Sequence, residues 1–278
     1  MFVGARRALL SVPAVVAAAD YSTEAQQFFD RITDPGDTRK DVYATLIDGL
    51  EADGLWAKLD ALWMFAADIT GNAVVNLKSS SFTASLVNSP TFTADEGYTG
   101  NGSTSYVSST YTPSTAGGNY TQNSAAFGVY IRTDRATGSA FNDMGVQTTA
   151  GGSKVSDLIP RWTDGNCYYT LNAATGGAFV NTGANSVRGF RALSRVGSTL
   201  ATPYKNGTAV EAGDAATSSG LPAVAFYIGA KNNAGTAANF STDQIAASFI
   251  AGGLDATENS NLASRINAYM TSLGKNVY

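Results

Sequence analysis

Histidine is absent from all 278 residues of the chain, and this removes more chemistry than any residue present adds. Without an imidazole there is no Ser-His-Asp or Cys-His pair, and the commonest transition-metal ligand is missing. The single cysteine, Cys167, can make neither an intrachain disulfide nor a zinc site. Its neighbours Asn166 and Tyr168 offer no cation to activate a thiolate, so it reads as a small inert thiol. A chain without disulfides points to assembly in a reducing cytoplasm. Charge is also scarce, at 14% of residues with a net of -4. With no polybasic run there is no electrostatic footprint for a nucleic-acid backbone. Carboxylate, lysine and tyrosine chemistry is what remains.

The N-terminus carries the longest apolar stretch. Arg6 and Arg7 precede a run from Ala8 to Ala19, and Ala17-Ala18-Ala19 before Asp20 has the form of a leader-cleavage site. Pro13 interrupts that run, which favours an anchoring arm over residues 1–20, with a cleaved leader as the alternative. The run is too short to cross a bilayer as a helix, so no membrane partner is expected.

Residues 21–73 read as a helical docking region. Ser22 caps a first helix with the apolar stripe Phe28, Phe29, Ile32, stopped by Asp34-Pro35-Gly36. Thr38 and Asp41 begin a second, with Val42, Leu46 and Leu50 at fours, ending near Gly54. Leu55, Leu59, Leu62 and Trp63 supply a third stripe. Trp56 and Trp63 serve either the packing of these helices or an interface with a partner.

From Val74 onward the pattern changes to short strands between glycine-rich turns, which predicts an antiparallel sandwich over residues 74–278. Expected strands are Thr91 to Thr93, Ser105 to Ser108, Ala125 to Arg132, Cys167 to Leu171, Arg188 to Ser194, Thr202 to Tyr204, Ala223 to Ile228 and Ala246 to Ile250. Gly100-Asn101-Gly102-Ser103 forms a tight turn feeding Tyr106 and Val107, and Asn206-Gly207 is the clearest hairpin signal. At the C-terminus, Asp255 and Glu258 form a capping pair ahead of the face Leu262, Ile266, Tyr269, Met270, Leu273 and the stop Gly274.

The order Tyr204-Lys205-Asn206-Gly207, Tyr227-Ile228-Gly229-Ala230 and Ile245 to Ile250 resembles laminin-G/concanavalin A-like domains, which implies a mainly β, jelly-roll sandwich with a helical N-terminal region and a C-terminal helix. A further set, Ala52-Asp53-Gly54-Leu55-Trp56, Asn76-Leu77-Lys78, Gly97 to Ser103 and Gln122-Asn123-Ser124, resembles bacteriophage and prophage virion structural proteins of tail, fibre or head-decoration type. That resemblance implies a non-enzymatic protein displayed on a virion assembled in the bacterial cytoplasm. Its partners would be other virion proteins, met through the arm and helices, and further copies of itself.

Glucanases of this fold class carry two Glu flanking an Asp on one strand, because retaining hydrolysis needs closely paired carboxylates. Here the one Glu-x-Asp, Glu51 to Asp53, falls at a helix end, so no catalytic residue is assigned. Asp134, Asp143, Asp157 and Asp164 lie near loops where calcium is open but unsupported by a motif; no metal site or cofactor is assigned. The functional alternative is recognition of a host-surface glycan by Trp162, Asp164, Asn166, Tyr168 and Tyr169, which combine aromatic faces with carboxylate and amide partners. A secreted carbohydrate-active protein is a further alternative. Aromatics are also common in sandwich cores, so the site requires these rings to reach solvent.

Overall fold

The computed structural model describes residues 20–135, 141–149, 152, 154–174, 179–180, 186–210 and 214–278. Apart from Asp20, the expected arm lies outside them. Four helices, α1 (Thr23–Phe29), α2 (Asp37–Ala52), α3 (Thr70–Ala73) and α4 (Ala256–Ser272), accompany a sandwich of two sheets. The first sheet comprises β1 (Leu59–Met64), β3 (Thr91–Thr93), β4 (Gly97–Thr99), β6 (Ala125–Ile131), β11 (Gly189–Arg195), β12 (Leu200–Lys205), β13 (Thr208–Ala209), β14 (Asp214–Ala215) and β18 (Gln244–Ala251). The second comprises β2 (Ser85–Val87), β5 (Tyr106–Ser108), β7 (Met144–Gln147), β8 (Val155–Ile159), β9 (Cys167–Ala173), β10 (Phe179–Val180), β15 (Tyr227–Ile228), β16 (Lys231–Asn233) and β17 (Thr236–Ala238). All strand pairs are antiparallel except β16 with β7. This is the antiparallel-rich β-sandwich with a C-terminal helix that the sequence pattern predicts.

The first sheet runs β13-β12-β11-β6-β18-β4-β3, and β1 shares with β4 the side of β18 opposite β6. Strands β6 and β18 are almost entirely buried and read as continuous apolar runs because both of their faces are covered. One face meets the second sheet through Phe127, Val129, Ile131 and Ile250. The other packs Tyr130 and Phe249 into one cluster with Phe28, Tyr43 and Leu46 of the N-terminal helices and Ile266 of α4. Gly128 sits at this crossing, where an added Cβ would come within 2.7 Å of the Phe249 ring. That outer cluster includes no residue of the second sheet, so among the described residues α1, α2 and α4 cover one face of the sandwich only.

Local signals account for the element ends. Ser22 accepts the Ala25 N–H at the start of α1. Asp255 and Glu258 form a reciprocal capping box on α4 at 2.8 and 2.9 Å. Asn206 (φ 51°) and Gly207 (φ 81°) make the expected tight hairpin between β12 and β13. In the turn after β4, Asn101 Oδ1 accepts the backbone N–H groups of Ser103, Thr104 and Ser105 at 2.8–3.0 Å. This turn carries the chain from the first sheet to the second rather than closing a hairpin.

Several expectations are corrected. The third helical stripe is a single 3-10 turn, Trp56–Lys58, followed by strand β1, so the sandwich begins at Leu59, well before residue 74. The apolar stripes of the helices are used internally, with Phe28, Phe29, Leu46 and Leu50 packed against α4 and the first sheet. Trp63 is fully buried, and Trp56 lies against Lys78, with Nζ 4.7 Å from the ring centroid; neither indole is an interface anchor. Helix α2 starts at Asp37 after Gly36, not at a Thr38 cap. The strand expected over Ala223 to Ile228 is reduced to Tyr227–Ile228.

Leu262 and Ile266 are at most 1% exposed. Leu262→Ala and Ile266→Ala are each expected to lower the unfolding free energy by about 2–5 kcal/mol, read from urea titrations. Unchanged midpoints for both would place this helix face in solvent.

Candidate binding face

The hairpin joining β8 and β9 carries the aromatic cluster singled out in the sequence. Its two strands pair from Ile159↔Tyr168 inward, and the connection closes on itself. The Trp162 N–H donates to the Asn166 carbonyl at 2.7 Å and the Gly165 N–H to the Trp162 carbonyl at 3.0 Å. Gly165 takes φ 87°, a conformation that a glycine adopts without strain. Asp164 organises the tip: its carboxylate accepts the Asn166 backbone N–H (2.9 Å), the Asn166 side-chain amide (3.0 Å) and the Tyr168 hydroxyl (2.7 Å). Trp162 and Tyr168 meet edge to face, with centroids 5.9 Å apart. Both rings are half-buried and Asp164 is exposed.

Four of the five expected residues therefore come together: Trp162, Asp164, Asn166 and Tyr168. Tyr169 does not join them. It is 1% exposed and lies in the core between the sheets with Leu158 and Leu171, because successive strand residues point to opposite faces. The alternation Cys167, Tyr169, Leu171 was the sequence signal for this.

Tyr168 stands on the outer face of the second sheet, which the three long helices leave uncovered. Farther along this face Tyr106 and Tyr227 pack with centroids 4.2 Å apart, and Phe240 lies 6.2 Å from Tyr106. All three rings are half-exposed. Burial, together with the Tyr227 hydroxyl, pushes the Tyr106 phenol up to about 12. Between the two aromatic groups, Lys231 and Asp157 form an ion pair at 2.7 Å. It spans Gly145, whose missing side chain makes the room: a Cβ there would lie 3.2 Å from Asp157 Cβ and 3.4 Å from Lys231 Cβ. The Tyr106 group was not singled out from the sequence, although Tyr106 alternating with the inward Val107 marks it as outward-facing.

The aspartates considered for calcium have separate partners. Asp134 accepts the Val187 N–H, Asp157 pairs with Lys231, Asp164 holds the hairpin tip and Asp143 pairs with Arg135. Among the described residues no three Asp, Glu or Cys side chains converge as a metal would need. Outside the strands, Asp143 and Asp243 are brought to the same Nη1 atom of Arg135. All three side chains are nearly inaccessible, so no substrate reaches the pair. A concavity of about 360 Å³ lies beyond the start of α4, lined by Val196, Leu200, Tyr204 and Asp255; its one aromatic, Tyr204, is 6% exposed and presents no ring face.

No protein-family model matches the chain, and no curated protein matches it. Among solved structures, domain 4 of AbnA, an extracellular arabinanase of Geobacillus stearothermophilus in complex with arabinotriose, is similar at 15% identity over 74% of this chain and 98% of that one, with a TM-score of 0.45. The Trypanosoma rangeli sialidase in complex with 2,3-difluorosialic acid is 15% identical over 81% of this chain and 38% of its own, with a TM-score of 0.49. A botulinum neurotoxin serotype D binding domain is 9% identical over 75% and 52%, with a TM-score of 0.47. At such identities and scores, no ligand or activity passes from these proteins to this chain.

The Asp164 carboxyl is held below its ordinary 3.8, first by the Asn166 N–H and then by the Tyr168 hydroxyl. A depressed carboxylate contributes stability above its unfolded value and loses it as pH falls through the folded one. The stabilising contribution of the Asp164 carboxylate is thus expected to be present above pH 3.8 and to be lost as pH falls below it. Carboxyl NMR titration of Asp164 checks this, with Tyr168→Phe moving the value part of the way back up.

Proposed function

We propose that this protein is a non-catalytic glycan-binding module, with the Trp162 hairpin as its recognition element. The observation that carries the reading is the joint presentation of Trp162 and Tyr168 beside Asp164 and Asn166 on a face that the helices leave open. A pyranose needs an apolar surface for its C–H face and oriented hydrogen-bond groups for its hydroxyls. The half-exposed rings supply the first. Asp164, already fixed by three hydrogen bonds, supplies the second with little entropy left to lose on binding.

Binding without turnover is supported by the state of the carboxylate pair at the base of the hairpin. Asp143 and Asp243 share the Arg135 guanidinium and are shielded from solvent, which suits structure rather than acid-base exchange with a sugar. Display on a phage particle, implied by the sequence resemblance, is the setting in which we place this binding. Detection of the chain in purified virions tests that setting separately.

Glycan-array screening followed by calorimetry tests the module. Trp162→Ala is expected to weaken a bound glycan about tenfold, as loss of roughly 1.4 kcal/mol implies, with the melting temperature unchanged. Wild-type affinity in this variant, or an array with no bound glycan, would contradict the reading.

A further inference from the structure

We infer that the recognition hairpin selects anionic glycans, whose carboxylate or sulfate groups are met by a cluster of cations at its base. The inference rests on the binding-module reading and concerns ligand class.

The cluster lies at the end of the sandwich from which residues 160–166 emerge. Arg161, next to Trp162, donates to the Arg135 carbonyl at 2.7 Å. Arg191 donates to the carbonyls of Val187 and Ser186 at 3.2 and 2.5 Å. Lys205 Nζ donates to that same Ser186 carbonyl at 3.0 Å, so two cations converge on one neutral acceptor. Arg188 is exposed beside them. Asp143 and Asp243 are both engaged by Arg135. Asp134 lies 3.7 Å from Arg161 and acts on Arg188 and Lys205 as well, while Asp143 also acts on Arg191.

Among the described residues, Arg135, Arg161, Arg188, Arg191 and Lys205 against Asp134, Asp143 and Asp243 leave a local excess of two positive charges in a chain whose net charge is -4. Burial is the main force lowering the basicity of Arg191 and Lys205; repulsion from Arg161 adds to both, from Arg135 to Arg191 and from Arg191 to Lys205, against the attraction of Asp143 and Asp134. The carbonyl partners fix the geometry without neutralising the charge, so the cluster keeps a positive field at the hairpin. An arriving anion pairs with the accessible Lys205 and Arg188, while the inaccessible Arg191 strengthens the field from behind. A neutral sugar makes the stacking and Asp164 contacts but not this pairing.

Titration with polygalacturonate, dextran sulfate and neutral dextran tests the inference, at low and high salt, on the wild type, Trp162→Ala and the double variant Lys205→Met/Arg188→Gln. At least one of the anionic polymers is expected to bind about tenfold tighter than dextran, as charge-assisted hydrogen bonds provide. The advantage should shrink with salt and largely vanish in the double variant, whose melting temperature serves as the folding control. Which polymer wins separates carboxylate from sulfate recognition. Equal affinity for neutral dextran, or a preference that survives the double variant, overturns the selectivity and leaves the binding module standing. Anionic binding that ignores Trp162→Ala is surface adsorption and overturns the inference; absence of binding to any glycan overturns both.

Discussion

Coverage of the first sheet on both sides is the constraint from which the rest of the structure follows. Strand β18 pairs with β6, β4 and β1 and is buried along nearly its whole length. Its Phe249 faces the helices and its Ile250 the second sheet. Two apolar clusters therefore meet along one strand: a core between the sheets and a helix layer outside the first. The helix layer is tied down by polar contacts too, with the Tyr269 hydroxyl donating to the Ala66 carbonyl at 2.9 Å and Tyr130 to Asn267 at 2.8 Å. Because the helices are spent on one face, the proposed recognition hairpin stands on the other.

Much of this was legible in the sequence where a signal is local. The α4 capping box, the Ser22 cap and the Asn206-Gly207 turn are set by residues within a few positions of one another, and each forms as its pattern dictates. Long-range facts were not legible. Strand β1 was read as a helical stripe because Leu55, Leu59 and Leu62 have helical spacing. Pairing with β18 and burial of both faces override that preference. The helices were given to an external partner for the same reason: an apolar stripe states that something covers it, not what does.

The candidate site divides along the same line. Trp162, Asp164, Asn166 and Tyr168 are close in sequence, and the hairpin gathers them. Tyr169 was assigned with them because aromatic type was weighed without the two-residue period of a strand. The Arg135 cluster was hidden because its members come from distant segments: Arg135, Asp143 and Asp243 from three separate places, Arg191 and Lys205 from the paired strands β11 and β12. A chain of low overall charge thus concentrates cations at one end, a property that composition averages away.

The central claim is that a sugar stacks on the Trp162 ring. The other two indoles, Trp56 and Trp63, are 7% and 0% exposed, so collisional quenching of tryptophan emission by acrylamide reports chiefly on Trp162. A saturating glycan should protect the wild-type emission from acrylamide and leave a Trp162→Phe variant unaffected. Quenching of the wild type that is identical with and without bound glycan would contradict the account.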